Sequence, residues 1–139
     1  MRTFFSSLVG ICMAIPTVTF GQSALPGDLG PVIQAQIEER TLPLLVDTGA
    51  SYTTLSATFV RRLRQKEWIG RSVTKLADGT PIPIELYRIP QINIAGCTAR
   101  NVIVYVLAAE MSRGLLGYDT LKQMWPVRFD RDGVRFTCQ

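Results

Sequence analysis

The sequence predicts an all-β protein with one or two short helices, arranged as a closed barrel of short strands. Three observations lead there: brief apolar runs divided by turn residues, two Asp-Gly pairs that mark hairpins, and helical spacing that lasts only a few turns. The chain has 139 residues, 47% hydrophobic and 19% charged. That composition suits one globular domain with one modest core and excludes a wholly disordered or membrane-embedded chain.

Residues 1–21 differ from the rest. Met1 to Phe20 carry one charge, Arg2, ahead of "FFSSLVGICMAIPTVTF", and the small and polar "GQSA" follows. This pattern predicts a secretory signal peptide cleaved after Gly21, with Thr19 and Gly21 at the small-residue positions. The alternative is a retained membrane anchor, but the run falls short of the roughly twenty apolar residues a spanning helix needs. Ile11 before Cys12 argues against a lipoprotein. Residues 22–139 are then the mature domain, periplasmic or secreted, touching a membrane only if the leader is retained.

The mature part reads as strands in order. "PVIQAQI" and "TLPLLV" flank the polar "EER" at 38–40 as a hairpin, and the second strand delivers Asp47 at its end. Ser56 is placed to cap a helix through about Gln65, with Leu55 and Val60 as a hydrophobic staple and Leu55, Phe59 and Leu63 on one face. "RSVTKLADGTPIPIELYRI" turns at Asp78-Gly79. Its second arm carries Ile82, Ile84 and Leu86 on one face, while Pro81 and Pro83 have no N–H to donate, so this hairpin projects or lies at an edge. "NVIVYVL" is apolar on both faces and reads as an interior strand. "RGLLGYDTLKQM" gives an apolar pair, a glycine and a short helical turn, and "VRFDRDGVRF" closes with a hairpin at Asp132-Gly133.

Charge and cysteines narrow the function classes. The net charge is +4, and without Arg2 there remain 14 basic and 11 acidic residues, a mild excess. Its one concentration, Arg61, Arg62, Arg64, Lys66, Arg71 and Lys75, has no interleaved aromatics of the kind that read nucleic acid; it is expected to be a solvated surface, and no nucleic-acid partner is implied. There is no histidine, which removes every Ser-His and Cys-His mechanism, and no Cys-x-x-Cys, so neither a metal nor another cofactor is indicated. Cys97 and Cys138 remain in the exported domain. They can bridge within the chain, stay as thiols, or, through Cys138, bridge two chains.

Asp47 is the residue that asks for an explanation. An apolar strand, Leu44, Leu45 and Val46, drives it into a turn that Gly49 sharpens, where a carboxylate is partly desolvated and another backbone can come close. Such a position suits a general acid or base. Peptide hydrolysis by carboxylates needs two of them sharing one proton, however, and the chain has no second Asp-Thr-Gly. Asp119-Thr120 lacks the glycine and heads a short helix, so Asp119 is expected to be a cap or a structural hydrogen-bonder. A second copy of the chain, related by a two-fold axis, can supply the missing carboxylate.

"LLVDTGAS" followed by "RGLLGYDTL" resembles the retropepsin-type aspartic proteases, and the hairpin before the aspartate, the "ADGT" segment, the "LLG" and the length are similar to the small exported retropepsin-like proteases of bacteria. The likeness spans about residues 30–136. It implies a closed acid-protease barrel and an aspartic endopeptidase acting as a homodimer on a polypeptide substrate. By position it implies Asp47 as the catalytic aspartate, Thr48 as the residue that locks the two active-site loops across the dimer axis, and Gly49 as the turn glycine. Ala77, Asp78, Gly79 and Thr80 would be the flap that closes over substrate. Leu115, Leu116 and Gly117 would pack beneath the catalytic loop, with Ala50 and Ser51 as structural support. Ala50 stands where pepsin-like enzymes carry Ser or Thr. Ser51 and Tyr118 replace an acid and an arginine that retroviral enzymes pair. The competing reading is a non-catalytic exported module that binds peptide or protein on the same fold, with Asp47 only ordering its turn.

Overall fold

The computed structural model describes residues 30–131 and 133–138; the expected leader at residues 1–21 lies outside them. Strands β1 (Val32–Ile37) and β2 (Arg40–Val46) pair antiparallel from Val32↔Leu45 to Ile37↔Arg40. Strict alternation buries Ile33, Ala35, Ile37, Leu42, Leu44 and Val46 on one face and leaves Gln34 and Gln36 in solvent. Only Glu38 and Glu39 form the turn, and Glu38 takes φ +54°. Its carboxylate accepts the amides of Arg64 at 2.8 Å and Gln65 at 2.6 Å. The Gln65 bond, more than the others, holds the Glu38 carboxyl below its ordinary range.

The same contact shortens the first helix. Strand β3 (Thr53–Ser56) runs into α1 (Ala57–Arg61), where the Ser56 hydroxyl caps the Phe59 amide at 3.2 Å as expected. The helix does not continue to Gln65. The amides of Arg64 and Gln65 are taken by Glu38 instead of by helical carbonyls, and the Lys66 ammonium closes the end by donating to the carbonyl of Leu63. Leu55, Val60 and Leu63 are buried, with Phe59 packed against them.

Strands β4 (Glu67–Lys75) and β5 (Pro81–Ile94) form the long hairpin, and β5 continues into β6 (Cys97–Leu107). The prolines decide how far the barrel reaches. β5 pairs with β6 only from Glu85 onward, so Pro81 and Pro83 stand in an arm that β4 alone accompanies. β6 is the interior strand its two apolar faces predicted: it lies between β5 and β3 and buries Val102, Val104 and Val106.

Strand β7 (Gly114–Leu116) leads through α2 (Tyr118–Leu121) and a 3-10 turn (Lys122–Met124) to a separate ribbon, β8 (Val127–Asp130) with β9 (Gly133–Phe136). Asp132 lies outside the described residues. β9 thus pairs with β8 of its own chain and packs Val134 and Phe136 into the core. The main sheet runs β1-β2-β7-β3-β6-β5 and closes through Ala35↔Ile94 and Gln36↔Asn93 into a six-stranded barrel, leaving β4 as an edge.

Cys97 and Cys138 are bridged, with Cα atoms 5.2 Å apart, which ties the chain's last described residue to the start of β6. The closed segment separates them by 41 positions, and a loop of that length is expected to contribute about 2–4 kcal/mol. Replacing both cysteines by serine should remove that amount in chemical unfolding of the oxidised protein, and reduction of the wild type should match it. Glu38 offers a second check. Because its folded pKa is depressed, its contribution is complete above the ordinary glutamate range and is lost as pH falls through the folded value. Glu38→Gln should therefore lower the melting temperature at neutral pH, with the difference closing in acid.

Candidate active site

Asp47 is placed by the barrel's parallel seam. Leu44, Leu45 and Val46 lie beside Gly114, Leu115 and Leu116 in register, and the amide of Asp47 extends the ladder to the carbonyl of Leu116 at 3.0 Å. The chain then turns. Ala50 N–H closes on the carbonyl of Asp47 at 3.2 Å, and Oδ1 of Asp47 accepts the amides of Gly49 at 2.9 Å and Ala50 at 3.2 Å. Both side-chain bonds fall on Oδ1; among the described residues Oδ2 accepts none. A Cβ at Gly49 would stand 3.2 Å from Oδ1 and crowd it. Asp47 and Ala50 are half-buried, whereas Thr48, Gly49 and Ser51 are exposed.

The segment after β7 locks this turn from beneath. Tyr118 N–H donates to the carbonyl of Ala50 at 2.8 Å, and Asp119 N–H to that of Ser51 at 3.1 Å. The two positions that break the retroviral ion pair are each bonded to the other's neighbour, Ser51 to Asp119 and Tyr118 to Ala50, so their loops remain tied through main-chain bonds. Gly117 N–H donates to the hydroxyl of Thr53 at 3.1 Å, which is joined to the hydroxyl of Thr120 at 2.6 Å, both threonines being fully buried. A Cβ at Gly117 would fall 2.3–2.6 Å from the backbone of Tyr52 and Thr53, so glycine is required by close approach.

Asp119 is not the cap of α2. Gly117 holds that position without a side-chain bond, and Asp119 lies within the first turn, paired with Lys122 at 2.7 Å. This bond raises the Lys122 pKa. The pair borders a cleft of about 360 Å³ whose other walls are Thr48, Gly49, Ser51, Tyr52 and Tyr118. Tyr52 is stacked on Tyr105 with ring centroids 4.6 Å apart, and burial, with Tyr52 beside it, raises the Tyr105 pKa.

Ala77, Asp78, Gly79 and Thr80 sit at the exposed tip of the β4–β5 hairpin. Gly79 takes φ +86°, Asp78 Oδ1 accepts the Thr80 amide at 2.8 Å, and Leu76 and Thr80 close the tip at 2.9 Å. The Thr80 amide, followed by its hydroxyl, holds the Asp78 carboxyl below its ordinary range. Among the described residues no hydrogen bond joins this tip to the Asp47 turn.

Residues 33–123 match the family described as "gag-polyprotein putative aspartyl protease". The chain belongs to that family. The matched span runs from β1 through α2 and so contains both the Asp47 turn and the Gly117 lock of this aspartyl-protease domain. The chain is also similar to "Uncharacterized protein 7" of Soybean chlorotic mottle virus, 32% identical over 89 residues that cover 64% of this chain and 59% of that protein. The chain therefore spans about three-fifths of the viral relative's length.

The site contains residues that sequence reasoning missed. Thr53 and Thr120, 67 positions apart, form a buried polar pair that motif spacing does not reveal; each stands among polar neighbours, in "SYTTLS" and "YDTLKQ", so no local pattern marks either hydroxyl as buried and in need of a partner. Gly117→Ala tests the lock. The backbone clash should destabilise the domain by about 3 kcal/mol, measured by urea unfolding.

Proposed function

We propose that this chain is an aspartic endopeptidase whose active unit is a homodimer, with one Asp47 contributed by each copy. The observation that carries the reading is the arrangement of Asp47: a carboxylate at the end of a core strand, ordered through one oxygen by its own turn, in a loop whose Thr48, Gly49 and Ser51 face solvent. Membership of an aspartyl-protease family supports the chemistry. One carboxylate cannot both take a proton from water and give one to the scissile carbonyl, so a second copy completes the site.

Across a two-fold axis the two Asp47 carboxylates would share one proton, because close like charges cannot both ionise readily, as is general for aspartic proteases. The ionised member takes a proton from water as that water attacks the peptide carbonyl. The protonated member donates to the carbonyl oxygen, giving a tetrahedral gem-diol. Proton transfer to the leaving nitrogen then lets the C–N bond break, and no acyl-enzyme forms. Thr48 would lock the paired loops and the hairpin tip Ala77–Thr80 would close over an extended polypeptide. The Cys97–Cys138 bridge supports work in an oxidising compartment, periplasmic or extracellular, after the leader is removed.

Hydrolysis of an unfolded protein should be strongest in acid and rise faster than linearly with enzyme concentration. Asp47→Asn should lower kcat/KM by at least about a thousandfold while leaving the fold intact by circular dichroism. A folded wild type that stays monomeric and inert across the pH range would instead favour the non-catalytic binding module.

A further inference from the structure

We infer that the Cys97–Cys138 bridge is a redox latch on the Asp47 turn, so that the reduced chain is latent and oxidation orders the site. The latency rests on the endopeptidase reading; the ordering of the turn does not.

The latch is built into one continuous stretch, residues 117–138. Its first part holds the turn: the amides of Tyr118 and Asp119 donate to the carbonyls of Ala50 and Ser51, and Gly117 and Thr120 both bond the buried Thr53 hydroxyl. α2 has only four residues, too few to persist by itself. It is seated by Leu121, and the 3-10 turn after it by Met124, in the same core that takes Val127, Val134 and Phe136 of the ribbon. Departure of the ribbon would uncover the side chains that seat the lock.

The ribbon needs an anchor to stay. β8 and β9 pair with each other in a sheet separate from the barrel, and an isolated two-stranded hairpin is marginal in water. Besides its apolar packing, the stretch is fixed to the first part of β6 by a side chain and by the bridge. Gln123 clamps Arg100, its Oε1 accepting the Arg100 amide at 2.8 Å and its Nε2 donating to the Arg100 carbonyl at 3.0 Å, and Cys138 is bonded to Cys97. The clamp is exposed, so water competes for it. Water does not compete for the bridge. With the bridge closed, the ribbon is held at both ends and cannot swing away from the core without disturbing β6.

The bridge is open to chemistry at one end. Cys97 is 2% exposed, whereas Cys138 is half-buried. A thiolate from solution can therefore attack the Cys138 sulfur and displace the Cys97 thiolate, after which a second thiol releases Cys138. In the other direction the two cysteines give two electrons and two protons to a small-molecule or protein disulfide, which leaves as two thiols. A reducing compartment keeps the latch open, and an oxidising one closes it.

The test reads amide hydrogen exchange by NMR on the full chain, oxidised and then reduced with a phosphine. Reduction should speed exchange at Tyr118, Asp119 and the ribbon at least about tenfold more than in β1. Gln123→Ala should add about another tenfold at those amides in the reduced chain but less than about threefold in the oxidised one, where the bridge substitutes for the clamp. Hydrolysis of a cysteine-free unfolded protein should fall at least about tenfold on reduction and return on reoxidation with oxidised glutathione. Cys97→Ser with Cys138→Ser should be slow throughout and indifferent to the phosphine. Acceleration that is uniform along the chain, global unfolding included, would make the bridge a general brace and overturn the latch, and full activity of the reduced chain would do the same. Selective acceleration in a wild type that cleaves nothing in either state would keep the ordering of the turn and remove the endopeptidase reading.

Discussion

The Asp47 site depends on the parallel seam between β2 and β7. Three register pairs, Leu44↔Gly114, Leu45↔Leu115 and Val46↔Leu116, align two strands far apart in sequence, and the Asp47 amide extends that alignment by one bond to Leu116. Without the seam, the apolar approach to Asp47 would be paired on the β1 side alone and the turn after it would have no fixed direction. Parallel neighbours cannot be joined by a tight turn. The chain between them accordingly makes most of the barrel before returning.

Beneath the seam, main-chain contacts substitute for side-chain charge. The amides at the start of α2 close the carbonyls of Ala50 and Ser51, and Gly117 allows that approach because its missing Cβ leaves room for Tyr52 and Thr53. Buried hydroxyls of Thr53 and Thr120 satisfy the donor that remains. An exchange of Ser51 or Tyr118 for a charged residue is therefore not needed to hold one loop on the other. Charge is used elsewhere, on the projecting β4–β5 hairpin, where Glu67 pairs with Arg88 at the base and Arg71 with Glu85 farther out.

The barrel and its projecting arm express one rule, that backbone groups must be paired or solvated. β6 has two apolar faces and is paired on both sides; β5 carries Pro81 and Pro83 where β6 no longer follows it, and at Pro90 the register passes from Ile89↔Val102 to Gln91↔Arg100 without a pair between them. The helix after Ser56 obeys the same rule in reverse. Its amides at 64 and 65 found a better acceptor in Glu38, so it stops at Arg61.

Much of this was legible in the sequence because the signals are local. Period-two alternation in "VIQAQI", both-face apolarity in "NVIVYVL", the prolines of "TPIPIE" and the turn at Asp78-Gly79 each depend on neighbours within a few residues, and "LLVDTGAS" with "RGLLGYDTL" carried the family. What required tertiary structure was long-range choice among equivalent partners. The sequence left three fates open to Cys97 and Cys138, and only the docking of the terminal ribbon on β6 joined them. Asp119 was a plausible cap until Gly117 was drawn against Tyr52, and Glu38 was one more surface acid until the fold brought two amides to it across 26 and 27 positions. Local pattern determines which face of a segment avoids water. Which segment it meets is decided by packing the whole barrel, because every apolar face can in principle cover any other.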